Sequence, residues 1–358
     1  MKKLIYFELR KIFSKRLALV AFIAVLLFSV LLSFSSYQNK YAFDPKAGEG
    51  SGKTAVEIDK EIAARYEGIL TDEKVQQMMS DFVPTSDLHG LNAVYIYQNA
   101  MQSAAFARFS DQNGNWNGLS VSDVFGDEEI KIGYVDGWLS TSRNMVRSFV
   151  ALALLVIIMI APVFSGEYEG VDNIILTSKY GKTKCASAKV LAGIFTAIVT
   201  TALVAAVNIL LAFAFYGTDG LDCSILFAPS DYVEAFIPFN ITCSTLLKYQ
   251  ILLAFTCTLS ATGITLFLSA ISKNQIVAFV SSIAVFLFPV LLPISETNPL
   301  FRLVGLLPLY HVLAVSLLSV EQMNNGILYA IWAVPAAILF LGIGGFASRR
   351  AFANHQIS

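Results

Sequence analysis

The feature that most constrains this chain is a set of long, almost uncharged apolar runs: Leu17 to Phe34, Ser148 to Phe164, Val190 to Phe215, Leu246 to Ala270, Ile276 to Leu292 and Ile327 to Phe346. Crossing a bilayer takes about 20 mostly apolar residues, with every backbone group bonded inside the helix because the hydrocarbon offers no partner. The runs therefore predict an all-α polytopic membrane protein with six transmembrane helices. Composition agrees, since 56% of residues are hydrophobic and 14% charged, against roughly 45–50% and 25% in soluble domains. One further apolar stretch, Leu300 to Leu318, is interrupted by Arg302, Pro308 and His311. It suits a re-entrant or interfacial segment over residues 299–320 better than a lipid-facing span.

Orientation follows from lysine and arginine, which hold loops on the cytoplasmic side. Lys2, Lys3, Arg10, Lys11, Lys15 and Arg16 precede the first run; Lys179, Lys182, Lys184 and Lys189 follow the second; Lys273 separates the fourth and fifth; Arg349 and Arg350 follow the sixth. The opposite side is acidic, with Asp219, Asp222, Asp231 and Glu234 after the third run. Both termini are expected in the cytoplasm of a multi-pass cell-membrane protein. A cleaved signal peptide fits the first run poorly, because its apolar core exceeds the roughly 7–15 residues of an h-region and no A-x-A site follows. Upstream, Ile5, Leu9, Ile12 and Phe13 share one helical stripe with Lys3, Arg10 and Lys11 roughly opposite. Residues 1–16 thus read as an amphipathic helix in the cytoplasmic interface, in contact with lipid, or as a plain topogenic charge cluster.

The first span is assigned to residues 17–35, and residues 36–145 form a large extracytoplasmic domain; residues 146–358 form the membrane domain with spans two to six. The extracytoplasmic domain reads as mainly helical, over Ala55 to Leu70, Thr71 to Phe82 and Leu91 to Phe109, then turn-rich from Asp111, with a short strand within Ile130 to Val135. Ala47 to Thr54, AGEGSGKT, approximates a phosphate-binding loop. It lacks the first glycine and a preceding buried strand, so it reads as a flexible linker. Asp111, Asn113, Asn115 and Asn117 alternate like calcium ligands, but Trp116 and Ser122 replace the turn glycine and the closing glutamate of such a loop. Cys223 and Cys243 share the loop after the third run and can pair in an oxidising compartment, whereas Cys185 and Cys257 read as buried thiols.

No catalytic constellation, cofactor site or metal site emerges. His89, His311 and His355 are scattered, with no H-E-x-x-H pair and no G-x-S-x-G elbow beside a usable histidine. A formal net charge of -1 leaves no basic footprint for nucleic acid. None of the six runs has a charge near its centre, whereas proton- or ion-driven carriers bury ionisable groups there. An energy source on another chain follows as the expectation.

The loop over residues 165–189 is the most specific feature. From Phe164 it reads FSGEYEGVDNIILTSKYGKTKCASAK: acidic residues at the span end, an apolar patch Ile174-Ile175-Leu176, a Tyr180-Gly181 turn and a basic return. It suits a short helix presented to a cytoplasmic partner, or an interfacial helix dipping into headgroups. Phe164, Glu167, Tyr168, Gly170, Ile175, Leu176, Ser178, Tyr180, Gly181 and Lys189 resemble the pattern of permease subunits of ABC-2 type ATP-binding-cassette transporters. Lys182 stands where arginine is common and Val171 where threonine is frequent. The resemblance implies a permease subunit of an exporter that pairs with itself or a similar permease. Two separate ATPase subunits would bind the ATP, and a coupling loop built on Glu167, Tyr168, Glu169, Gly170, Ile175, Leu176, Tyr180, Gly181 and Lys182 would engage them. The exported substrate is unidentified. The competing reading is a membrane sensor or immunity protein that transports nothing.

Overall fold

The computed structural model describes residues 1–82, 98–111, 113–168, 170, 174, 177–178, 180–229, 239–295, 297–313 and 326–354. The chain opens with helices α1 (Lys2–Phe13) and α2 (Arg16–Gln38), then a hairpin of β1 (Tyr41–Asp44) and β2 (Gly48–Ser51). There follow α3 (Lys53–Tyr66), β3 (Gly68–Ile69), α4 (Asp72–Asp81), α5 (Ala100–Phe109), α6 (Val121–Phe125) and β4 (Lys131–Ile132). Next come α7 (Asp136–Ile160), α8 (Pro162–Ser165), a π-type turn at Gly181–Cys185 and α9 (Ala186–Tyr216). The remainder is α10 (Cys243–Ile271), α11 (Gln275–Leu287) with a 3-10 turn at Phe288–Leu291, α12 (Phe301–Val304), α13 (Pro308–Leu313) and α14 (Gly326–Ala353).

Among the described residues, five helices are long and apolar enough to cross a membrane: Arg16–Gln38, Asp136–Ser165, Gly181–Tyr216, Cys243–Ile271 and Tyr329–Ala353. The chain is a multi-pass α-helical membrane protein. The run expected as the fifth span forms the shorter apolar helix Gln275–Leu291. Pro289 explains the early end, because it lacks the N–H that an α-helical bond requires and the last turn tightens to 3-10. The interrupted stretch after it forms α12, which contains Arg302, and α13, which Pro308 opens; residues 314–320 lie outside the described residues.

The described residues form two compact units: Met1–Ser29, Met145–Val207 and Gln250–Ser358 in the first, Val30–Asn144 and Asn208–Tyr249 in the second. In the first unit, Gly263 of α10 and Gly344 of α14 bring two helix backbones together. A Cβ on Gly263 would overlap the Phe340 carbonyl, and one on Gly344 the Gly263 carbonyl. Small residues at such a crossing supply the close packing that replaces hydrophobic driving force between apolar helices. Thr201 and Thr258 add a 2.9 Å hydroxyl bond between α9 and α10.

The second unit has its own core of Ile62, Tyr66, Met78, Phe82, Phe109 and Trp138, all buried. Its helices start where the residues accept orphan N–H groups. Thr71 caps α4, Asn99 caps α5, and Ser120 with Asp123 forms a capping box on α6. The linker expected at residues 47–54 is instead ordered. Tyr41 pairs with Ser51 and Asp44 with Gly48 in an antiparallel hairpin that feeds α3 through Gly52 at φ +58°. Asp111 is occupied locally, accepting from the N–H groups of Asn113 and Asn115 at 2.8 Å. The segment after α9 also belongs to this unit, a partnership that spacing along the chain did not reveal. Beside the core, the half-buried Lys40 ammonium pairs with Asp59 at 3.3 Å and with Asp136, both carboxylates being buried. Burial pushes the Asp59 carboxyl above its ordinary value, with Lys40 pulling the other way.

Two expectations follow. Gly263→Ala forces the α10–α14 crossing apart and lowers stability by about 1–3 kcal/mol, whereas Gly342→Ala, with nothing within 4 Å, does not; thermal unfolding in detergent separates them. Lys40→Met strands two buried carboxylates and costs about 3–5 kcal/mol at neutral pH. A carboxyl with a raised folded pKa favours folding below its unfolded value and loses that contribution as pH rises through the folded one. The Lys40→Met deficit therefore shrinks on acidification, measurable as unfolding against pH by the fluorescence of buried Trp138.

Candidate functional site

The site is organised by a break in a helix of the first unit. Pro162 follows α7 and cannot donate the next bond of the ladder, so α7 ends at Ile160 and α8 starts at the proline. The freed backbone groups are met by one side chain. Ser269 Oγ of α10 accepts from the N–H groups of Phe164 and Ser165 at 3.0 and 3.1 Å and donates to the Ala161 carbonyl at 2.5 Å. Downstream, Tyr168 donates its hydroxyl to the Ala270 carbonyl at 2.7 Å and stacks on Phe352, against which Phe164 also packs. The chain leaving α8 is thereby fixed on the ends of α10 and α14.

That fixing turns the Glu167 carboxylate inward, where it is 5% exposed. Its Oε1 accepts from Lys189 Nζ of α9 and from Lys11 Nζ of α1, each at 2.5 Å. Lys189, whose side chain is completely buried, also reaches Glu8 Oε2 at 3.1 Å and the Val163 carbonyl at 3.1 Å, so all three of its protons are used. Lys11 closes the ring on Glu8 at 3.2 Å. Two carboxylates and two ammonium groups thus neutralise each other across α1, the loop and α9. Burial works against the Lys11 charge, but Glu167 and Glu8 outweigh it and hold its pKa above the ordinary lysine value. A cavity of about 280 Å³ opens beside the network, lined by Glu8, Lys11, Lys15, Met159, Pro162 and Glu167 among others.

The residues expected to form a coupling loop divide into two sets. At the loop's two ends Glu167 and Gly181 are buried and Tyr168 is half-buried. Ile174 is 72% exposed; Tyr180, Lys182 and Lys184 are exposed as well, with Lys184 Nζ 4.0 Å from the Tyr180 ring centroid. Gly170 sits at φ +134°, which side chains disfavour. Glu169, Ile175 and Leu176 lie outside the described residues.

Sequence reasoning missed the network because it counted Lys189 and Lys11 as topogenic charges. The available signal was Glu8, the lone acid in a basic helix, placed three residues after Ile5 and four before Ile12 on the stripe that the structure turns inward. Cys223 and Cys243 are both buried in the second unit, where the Cys243 N–H donates to the Cys223 carbonyl at 3.0 Å. Among the described residues, no three His, Cys, Asp or Glu side chains gather as a metal site.

Lys189→Met leaves two buried carboxylates with only Lys11 and lowers stability by about 3–5 kcal/mol. Adding Glu167→Gln to it recovers part of the loss, read as coupling in a double-mutant thermal unfolding cycle.

The sequence matches no family model, and no match to it emerges among curated proteins or among solved structures, so the functional reading rests on this network and on the loop it anchors.

Proposed function

We propose that this chain is the membrane-spanning permease subunit of an ATP-driven exporter of the ABC-2 type. ATP hydrolysis takes place on separate cytoplasmic ATPase subunits, and a second copy or a similar permease completes the pathway. In this reading the short helix Gln275–Leu291 makes a sixth crossing with the five long helices. The termini and the loop after α8 are cytoplasmic, and the second unit lies outside the cell membrane. The substrate is left open.

The observation that carries the proposal is the ion-paired union of α1, the loop and α9, in a loop that also exposes Ile174 and Tyr180. A partner pressing on the exposed residues pushes on a base whose inner ends are neutralised and rigid. Force at the loop therefore passes into α9, α7 and α1 as rigid-body displacement rather than local fraying. The network serves transmission, and the exposed set serves contact.

Affinity purification of the tagged chain from mild detergent tests this. An ATPase subunit with its own phosphate-binding loop is expected to co-purify with the wild type and with Ser122→Ala. It is lost with Ile174→Asp or Tyr180→Ala, while thermal stability stays within about 0.5 kcal/mol because both positions are exposed. Failure of the wild type to retain any ATPase overturns the permease reading in favour of a membrane sensor.

A further inference from the structure

We propose that Cys223 and Cys243 form a disulfide that staples the segment after α9 to the first residue of α10. Around Ser224 and Thr242, which pair as an antiparallel bridge, Cys243 N–H bonds the Cys223 carbonyl and Ile225 N–H bonds the Ile241 carbonyl, both at 3.0 Å. These bonds bracket the bridge on either side. That register sets Cys223 directly opposite Cys243. Opposed residues of such a ladder project to the same face, with Cα atoms about 5.5 Å apart, inside the roughly 4.4–6.8 Å that a disulfide spans.

The surroundings keep both sulfurs in place. Ser244 N–H bonds the Leu221 carbonyl at 2.8 Å and Ser224 N–H the Lys131 carbonyl at 2.8 Å, so each cysteine lies between fixed backbone neighbours. Gly133 leaves room for the thiol: a Cβ there would stand 2.7 Å from Cys223 Sγ. The cysteines that could compete, Cys185 and Cys257, belong to the first unit. Both sulfur-bearing residues are fully enclosed, and burial pushes the Cys223 thiol up to about 11. Little thiolate is present once the unit has folded, so the exchange belongs to folding.

The chemistry is thiol–disulfide exchange with an oxidised disulfide donor of the extracytoplasmic compartment, either a dithiol oxidase or an oxidised small thiol. One cysteine thiolate attacks the donor disulfide and expels a donor thiolate. The other then attacks the mixed disulfide and releases the second donor sulfur. The two cysteines lose two electrons and two protons, and the donor is reduced to two thiols. The inference rests on the second unit lying outside the cytoplasm, where such donors persist.

The test is alkylation of the chain with N-ethylmaleimide, immediately on lysis in denaturant, followed by peptide mass spectrometry. Of the four cysteines, Cys185 and Cys257 are expected to label at once, and Cys223 and Cys243 only after reduction, their peptides being joined beforehand. Cys223→Ala is expected to free Cys243 for labelling. Labelling of all four without reductant overturns the proposal. Glu128→Cys, at an exposed position of the same unit, reports sidedness through a membrane-impermeant maleimide on intact cells. If the introduced thiol labels from outside while the pair is reduced, the disulfide fails and the topology stands; if it is unreachable, the topology itself fails.

Discussion

Everything near the loop follows from one electrostatic requirement: the ammonium of Lys189, stripped of water, must be neutralised where it sits. An unpaired charge in such surroundings costs several kcal/mol even after relaxation. Glu167 can reach it only because Pro162 breaks α7, and the break is tolerable only because Ser269 takes up the freed backbone groups. Glu8 can reach it only if α1 lies with its Ile5 and Ile12 stripe inward. One buried cation therefore fixes the attitude of a helix at the chain's start, the exit path of α8 and the entry of α9.

The second unit repeats the same physics with an excess of carboxylate. There one ammonium, Lys40, serves two carboxylates, Asp59 and Asp136. Lys40 follows the end of α2 and Asp136 begins α7, so both membrane-length helices emerge into the same charge cluster, with Asp59 supplied by α3. The first network is balanced, two carboxylates against two ammonium groups. The second carries surplus negative charge, and burial inclines its Asp59 carboxyl to hold its proton.

The membrane class and the positions of the long helices were legible because lipid demands length and apolarity from every span, and α2, α9 and α10 fall within a few residues of their apolar runs. Helix starts in the second unit were legible in kind through Thr71, whose capping geometry follows from its side chain. The tertiary pairings were not. Nothing local distinguishes Lys189, which is buried, from exposed Lys182 a few residues earlier, since both read as positive charge at a span end. The hairpin at residues 41–51 was missed because glycine-rich sequence reads as a linker until a strand partner is known. Ser269 was invisible because its role depends on a proline in another helix.

The contact between Gly263 and Gly344 carries a mechanical consequence. Where Gly263 meets Gly344, backbone rests on backbone with no compressible layer of side chains at that point. Gradual slippage would drive a neighbouring side chain into a carbonyl, so axial movement is permitted only in steps that bring another small residue into register, of order one helical turn or about 5.4 Å. Gly345 sits beside Gly344, but against Val190 instead, so no ready alternative register is offered there. The two helices form a ratchet held at a single tooth, and must travel as one strut in any rearrangement of the unit.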